Sequence, residues 1–308
     1  MSAAKKFIVT TTIHAPTEAI RRFDAFSDWT LIVAGDHRTP GDYALQNGLY
    51  LSPADQEKLA PELSELIGWN CIQRRNLGFV LALSLGADIV ATVDDDNIPY
   101  DTWGSDLMVG RQMELKCFEA ANGCFDPIGA TEHAHLWHRG YPLQLLRSRD
   151  YSAHRPRTVF VDVQADFWNG DPDIDAVCRL EHGPEVEFDP RAFPFTSSAI
   201  SPFNSQNTFL SRAALANYFV LPGVGRMDDI WAAFHLQSKG FQVAYGAATV
   251  YQDRNEQDLT QNLSDEVLGY QQNVTMVNAI NTGSYSPNDF WPERTVLAYE
   301  AYLRQVDQ

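Results

Sequence analysis

Along the first hundred residues, short apolar runs alternate with segments of helical spacing, the pattern of βαβ units on a parallel sheet. Residues 7–13 read as a strand. A helix with Pro16 in its first turn then runs to Phe26 and carries Ala19, Ile20, Phe23 and Phe26 on one face. Residues 29–34 form the second strand, ending at Gly35-Asp36, and residues 48–51 a short third. Ser52-Pro53-Ala54-Asp55 signals a helix start: a capping hydroxyl, a proline at the first helical position and an acid at the positive end. From 70 to 85 the spacing is helical, polar at Gln73-Arg74-Arg75-Asn76 and apolar almost all round beyond it, until Gly86. Residues 88–93 are short and β-branched, as a buried parallel strand requires, and Asp94-Asp95-Asp96-Asn97 follows at its carboxyl end.

Between 98 and 157 the pattern is irregular and rich in aromatics, glycine and histidine, and predicts only a helix near 106–118. Residues 158–165 predict a strand and 169–175 a turn-rich acidic loop. Apolar character resumes over 204–210, Ser211 caps a short helix to Phe219, 228–239 is a helix stopped by Gly240, and 241–245 is the last strand. Residues 258–280 and 293–306 are helical. The expectation is an α/β fold with a mostly parallel central sheet flanked by helices. One domain spans 1–255, and a helical extension over 256–308 packs on it.

With 308 residues and 44% hydrophobic content the chain can bury a full core. Its net charge of −17 repels polyanions, which disfavours nucleic acid as a partner. An anionic nucleotide ligand then needs a divalent cation or local arginines to compensate. Cys71, Cys117, Cys124 and Cys178 show no CxxC spacing, the start lacks a signal-peptide pattern, and no apolar stretch approaches the ~20 residues that span a bilayer. These features predict a cytoplasmic protein without a membrane span.

Ligands of open α/β sheets bind outside the carboxyl ends of strands, which makes the acidic run a site candidate. Its hard oxygens suit Mg²⁺ or Mn²⁺ bridging two phosphates: Asp94 and Asp96 as metal ligands, Asp94 and Asp95 toward the nucleotide. The same run also suits a solvated turn. One crossover earlier, Arg74 or Arg75 is placed to clamp a diphosphate, or to face solvent at a helix start. Thr11, Thr12 and Asp36, at the ends of the first two strands, suit contacts to a nucleobase or serve as turn residues, and Asn204, Gln206 and Asn207 suit sugar hydroxyls or form a polar loop. Asp228 and Asp229 open a helix, either as caps or as a base facing an acceptor hydroxyl. His133, His135 and His138 with Glu132 match no familiar zinc spacing. The chain has no phosphate loop, no GxGxxG after a strand and no GxSxG elbow, which weighs against a P-loop ATPase, a dehydrogenase and an esterase.

The stretch from Arg75-Asn76-Leu77-Gly78-Phe79 to Val93-Asp94-Asp95-Asp96-Asn97 resembles the helix–strand–DDD block of the reversibly glycosylated polypeptides, the UDP-arabinopyranose mutase family. Gly225-Arg226-Met227-Asp228-Asp229-Ile230-Trp231-Ala232 resembles the later Gly-Arg-x-Asp-Asp-x-Trp-Ala block of that family. Over more of the chain, roughly 7 to 270, it is similar to the STELLO-type glycosyltransferase-like proteins. That similarity rests on Asp28-Trp29 to Thr39-Pro40, Arg75-Asn76-Leu77-Gly78, Asp171-Pro172-Asp173-Ile174-Asp175-Ala176, Asn204-Ser205-Gln206-Asn207-Thr208 and Arg254-Asn255-Glu256-Gln257-Asp258-Leu259. The resemblance implies a GT-A fold, a UDP-sugar donor, Mn²⁺ or Mg²⁺ on the DDD run, and a carbohydrate or other hydroxyl-bearing acceptor. It implies donor and metal roles for Asp94 to Asp96, a diphosphate contact from Arg74 or Arg75, and catalytic or acceptor-side roles for Asp228 and Asp229. It also makes Arg75 a candidate for self-glycosylation. The expected activity is metal-dependent transfer of a hexosyl or pentosyl group, with a pyranose/furanose mutase and a non-catalytic GT-A-like scaffold as alternatives. Assembly into a homo-oligomer is compatible with all three.

Overall fold

The computed structural model describes residues 4–252 and 258–306. In chain order its elements begin with β1 (Lys6–Thr11), α1 (Glu18–Asp24), β2 (Thr30–Ala34), β3 (Leu49–Leu51), α2 (Pro53–Leu59), α3 (Pro61–Ile67), α4 (Arg75–Ser84), β4 (Ile89–Val93) and β5 (Asn97–Pro99). There follow β6 (Gln112–Phe118), β7 (His154–Phe160), β8 (Val163–Gly170), α5 (Ala176–His182), β9 (Phe195–Ser197), β10 (Asn207–Ser211) and α6 (Arg212–Leu215). The last are α7 (Asp228–Ser238), β11 (Val243–Gln252), α8 (Leu259–Asn281) and α9 (Glu293–Val306).

One sheet of eleven strands runs β3-β2-β1-β4-β10-β8-β11-β9-β6-β7, with β5 paired to β11. The strands β1, β2, β3, β4, β7, β8 and β11 point one way, and β5, β6, β9 and β10 the other. This is the mixed α/β, mostly parallel, helix-flanked sheet that the alternating pattern predicts. Side chains alternate across its faces. Phe7 and Val9 join the core shared with α4, while Ile8, Leu31 and Val33 join the aromatic core around Phe23, Trp29 and Trp103 beneath α1. Because β10 is antiparallel, its first residue, Asn207, pairs with Val93, the last of β4. The loop before β10 and the acidic run after β4 therefore meet at one edge.

Several elements differ from the sequence pattern. The helix expected near 106–118 is instead strand β6, pairing antiparallel with β7 and parallel with β9. Met113, Leu115 and Cys117 turn inward at a period of two, while Gln112, Glu114 and Lys116 are exposed. The single strand expected over 158–165 is two. The chain leaves β7 at the sheet margin, passes Val161 and Asp162, and enters β8 between β10 and β11. Pro16 lies before the helix, whose cap is Thr17. The final strand extends to Gln252, and the helix capped by Ser211 ends at Leu215.

Helix α8 packs on α5 and on the 3-10 turn Gly225–Met227, and α9 packs on α3 and α4. The expected boundary at 255/256, and Arg254 to Gln257 of the quoted blocks, lie outside the described residues. Among the described residues no helix is long and apolar enough to cross a membrane. All four cysteines are free thiols.

Candidate active site

Arg75 opens α4 and is buried at 1% exposure directly under the acidic run. Its Nη1 donates to Thr92 Oγ1 (3.2 Å), to the Ser205 carbonyl (2.6 Å) and to Ser205 Oγ (2.8 Å). Its Nη2 donates to Asp94 Oδ1 at 2.7 Å. Burial alone would disfavour the guanidinium charge, but the Asp94 carboxylate outweighs it and raises the Arg75 pKa. Asp94 is held on one side only, its side chain 35% exposed. Asp95 turns the opposite way and accepts from Thr12 Oγ1 at 2.5 Å, with burial raising its pKa. The Gln252 amide, at the end of β11, reaches the Asp96 carboxylate at 3.4 Å.

The turn 94–96 separates two recesses that share Ile72 as a wall. The recess on the Asp95 side holds about 290 Å³ and is lined by Thr11, Thr12, Asp36 and Asn70, among others. It brings together Thr11, Thr12 and Asp36, the residues that the pattern assigns to a nucleobase. Asp36 Oδ2 accepts from the Asn70 N–H (2.6 Å), while the buried Oδ1 has no hydrogen-bond partner among the described residues. Asn70 has φ +60°, a left-handed conformation that asparagine tolerates better than most residues. The two arginines part here. The Arg74 guanidinium is committed to Gln56, Ser64 and Gly68 and stacks 3.6 Å from the centre of the Trp69 ring. Burial lowers its pKa to about 10. Arg74 thus ties α2 and α3 to the start of α4, while Arg75 addresses the acidic run.

On the other side lies a cleft of about 420 Å³, lined by Asp94, Asp96, Gln206, Arg226, Asp228 and Asp229 together with neighbouring residues. Asp228 and Asp229 start α7, where the helix dipole favours negative charge. Their environments differ. Asp229 Oδ1 accepts from Arg139 Nη1 (2.9 Å), and Oδ2 accepts from Arg139 Nη2 (3.3 Å), the Ser205 N–H (2.9 Å) and Ser205 Oγ (3.2 Å). Burial works against that carboxylate, but Arg139 prevails and lowers its pKa. Asp228 has one side-chain donor, Gln73 Nε2 at 2.7 Å, and takes the Asp229 N–H at 2.9 Å. Burial, then the neighbouring Asp229 charge, pushes its pKa up.

Arg139 links this pair to the loop after β8, with Nε 2.8 Å from Asp173 Oδ1 and Nη2 3.1 Å from Oδ2. Burial again opposes the charge of Asp173, and Arg139 holds its pKa well below the ordinary range. Asn204 lies in this buried layer: its Nδ2 donates to Asp173 Oδ2 at 2.8 Å and its Oδ1 accepts the Gln206 N–H at 3.0 Å. Gln206 faces the cleft, with its amide 3.3 Å from Asn97 Oδ1. Arg139, Gln73 and Gln252 escape the sequence reading, and Asp173 and Ser205 enter it only as members of the quoted blocks, without a role. Arg139 falls in the aperiodic stretch 98–157, and Gln252 lies beyond the expected end of the last strand. Gln73 was visible only as a polar member of a helix start.

Among the described residues no group of three or more His, Cys, Asp or Glu side chains converges as a metal centre. The rings of His133, His135 and His182 touch edge to face without forming one.

No family model matches the chain. Two curated proteins of Arabidopsis thaliana are similar to it at 24% identity. "Probable glycosyltransferase STELLO2" aligns over 291 residues, 82% of this chain and 36% of its own length. "Probable glycosyltransferase STELLO1" aligns over 243 residues, 68% of this chain and 30% of its own. The chain thus spans about a third of the length of these relatives. A solved structure titled "Crystal Structure of a Mycobacterial Protein" aligns over 92% of this chain and 75% of its own, with a TM-score of 0.43 and 14% identity. By its sequence similarity, this chain is related to the STELLO-type glycosyltransferase-like proteins.

Proposed function

We propose that this chain is a glycosyltransferase of the GT-A type that moves a sugar from a nucleotide-diphosphate donor, uridine-linked by the resemblance, to an acceptor hydroxyl. The observation that carries this reading is the placement of Asp94 to Asp96 between two recesses. One recess offers a buried unpaired carboxylate oxygen on Asp36, and the other offers two adjacent buried carboxyls with opposed proton affinities. A nucleoside fits the first, where Asp36 Oδ1 accepts a base N–H. The glycosyl group and acceptor fit the second, with Gln206 beside the sugar hydroxyls.

The partly exposed Asp94 carboxylate and Asp96 line the same cleft and present hard oxygens, so the donor set fits Mg²⁺ or Mn²⁺. Asp94 and Asp96 would hold such an ion, which would supply positive charge to a leaving diphosphate. The protein's own part is electrostatic and protonic. Arg75 holds Asp94 in place through its Nη2 hydrogen bond. Asp229 is saturated by Arg139 and Ser205, which leaves Asp228 to accept the acceptor's proton. The free thiols fit a reducing compartment such as the cytoplasm.

The test is nucleotide release from a panel of nucleotide sugars with Mn²⁺, using Asp96→Ala and Asp229→Ala separately. Loss of turnover is expected in both, by at least tenfold to hundredfold given typical catalytic group contributions. Turnover that survives unchanged in both variants would sink the site assignment. Conversion of UDP-arabinose between ring forms without nucleotide release would instead make the chain a mutase.

A further inference from the structure

Among the described residues two arginines line the catalytic cleft, and they are not equivalent. Every N–H of Arg139 is engaged, by Asp173, Asp229 and the Arg226 carbonyl. Arg226 is bound through Nε alone, 2.8 Å from Glu266 Oε1, with its side chain 25% exposed. Among the described residues its terminal nitrogens make no hydrogen bond or ion pair.

The surroundings of Arg226 fix its direction. Glu266, on α8, is wholly buried, and its other oxygen accepts the Ala176 N–H (2.8 Å) and the Tyr270 hydroxyl (2.6 Å). The Arg226 backbone is held as well, since its carbonyl accepts from Arg139 Nη1. Gly225 before it has φ +59° and lies so close to the Asp265 carbonyl that a Cβ would come within 2.3 Å. A guanidinium pinned at Nε and at the main chain keeps its Nη groups uncommitted, and Arg226 lines the same cleft as Asp94 and Asp96. A planar fork of free N–H groups suits paired phosphate oxygens. It is also the compensating cation that an acidic protein needs for an anionic ligand.

We propose that the Nη groups of Arg226 bind the diphosphate of the donor, with Glu266 as the positioning residue; this rests on the glycosyltransferase reading above. As the acceptor oxygen bonds to the anomeric carbon, the bond from that carbon to the phosphate oxygen breaks. Its electron pair goes to the diphosphate, and the acceptor proton goes to Asp228. Arg226 faces the oxygens that gain charge.

Calorimetric titration with UDP and with uridine, at constant Mn²⁺, separates diphosphate from nucleoside recognition. Arg226→Ala is expected to weaken UDP about tenfold to hundredfold, the loss of charge-assisted hydrogen bonds, and to leave uridine unchanged. Arg226→Lys should recover part of the loss, and Glu266→Gln should weaken UDP selectively. Because Arg226→Ala leaves Glu266 buried and unpaired, Arg226→Met with Glu266→Gln serves as the folded control with the same expected loss. Wild-type UDP affinity in that double variant, or an equal fall for uridine in every variant, overturns the role of Arg226 and leaves the glycosyltransferase reading standing. A wild-type protein that binds none of UDP, GDP and ADP overturns both.

Discussion

Asp228 and Asp229 are neighbours in sequence with opposite shifts in proton affinity, and what separates them is the count of donors around each. Asp229 receives two nitrogens of Arg139 and two groups of Ser205, whereas Asp228 receives Gln73 and one backbone N–H. A base is most effective when its pKa lies near the working pH, and burial, followed by the Asp229 charge, pushes that of Asp228 up from the ordinary carboxylate range. With Asp228 as the proposed base, the catalytic rate is expected to rise with pH above that ordinary range as Asp228 loses its proton. Asp228→Asn should lower the rate by roughly a hundredfold or more and abolish that limb, as a pH–rate profile of nucleotide release would show. A limb that survives unchanged in the variant would assign it to another group. The acidic pair was legible in the sequence. Its division of labour was not, because Arg139 and Ser205 approach from loops distant along the chain.

At the scale of elements, α4 shows why a helical pattern is necessary and insufficient. Its near-continuous apolar face places it between sheet and neighbours, and a Cβ on Gly78 would meet Val9 Cγ1 of β1 at 2.5 Å. That contact sets how closely α4, and so Arg75, approaches the sheet. Gly78→Ala would gain about 1 kcal/mol of helix propensity, yet it is expected to destabilise the fold by about 1–3 kcal/mol through overpacking. Urea denaturation gives the sign: an increase in stability would show that the contact relaxes freely. The strand β6 illustrates the opposite difficulty. Its residues, Gln112-Met113-Glu114-Leu115-Lys116-Cys117-Phe118, include strong helix formers, but pairing with β7 and β9 decides the conformation. The break between β7 and β8 was equally hidden, since one apolar run serves two positions in the sheet.

Across the whole molecule, buried carboxyls tie stability to pH. Burial, the dominant cause in each, raises Asp166 and Asp175 to about 7 and moves Asp228 in the same direction. From about pH 4, near their unfolded values, to about 7, the folded chain keeps protons that the unfolded chain has lost, so their contribution falls as pH rises. Asp173 and Asp229 are depressed, and their contribution is lost only as pH falls below the unfolded value near 4. His235, lowered to about 3 chiefly by burial, opposes the first trend below pH 6.5, as one group against three. The Tm is expected to decline from pH 5 to 8. Asp166→Asn should flatten that decline, and differential scanning calorimetry at several pH values would check it. A slope unchanged by the substitution would remove Asp166 as a contributor.

What the sequence by itself determined was local: the alternation of strands and helices, the cap at Ser52, the strand ending in Asp94-Asp95-Asp96, and the acidic start of α7. Each depends on residues within a few positions of one another, where periodicity and capping chemistry act. Tertiary structure decided which polar groups meet. It turned Arg74 toward Gln56 and Ser64 and Arg75 toward Asp94, and it took Asn204 into the buried layer with Asp173. It also brought Arg139 across from the aperiodic stretch to hold Asp229. A buried charge takes whatever partner the fold brings within hydrogen-bond reach, and that partner is set by how strands are ordered in the sheet, not by spacing along the chain.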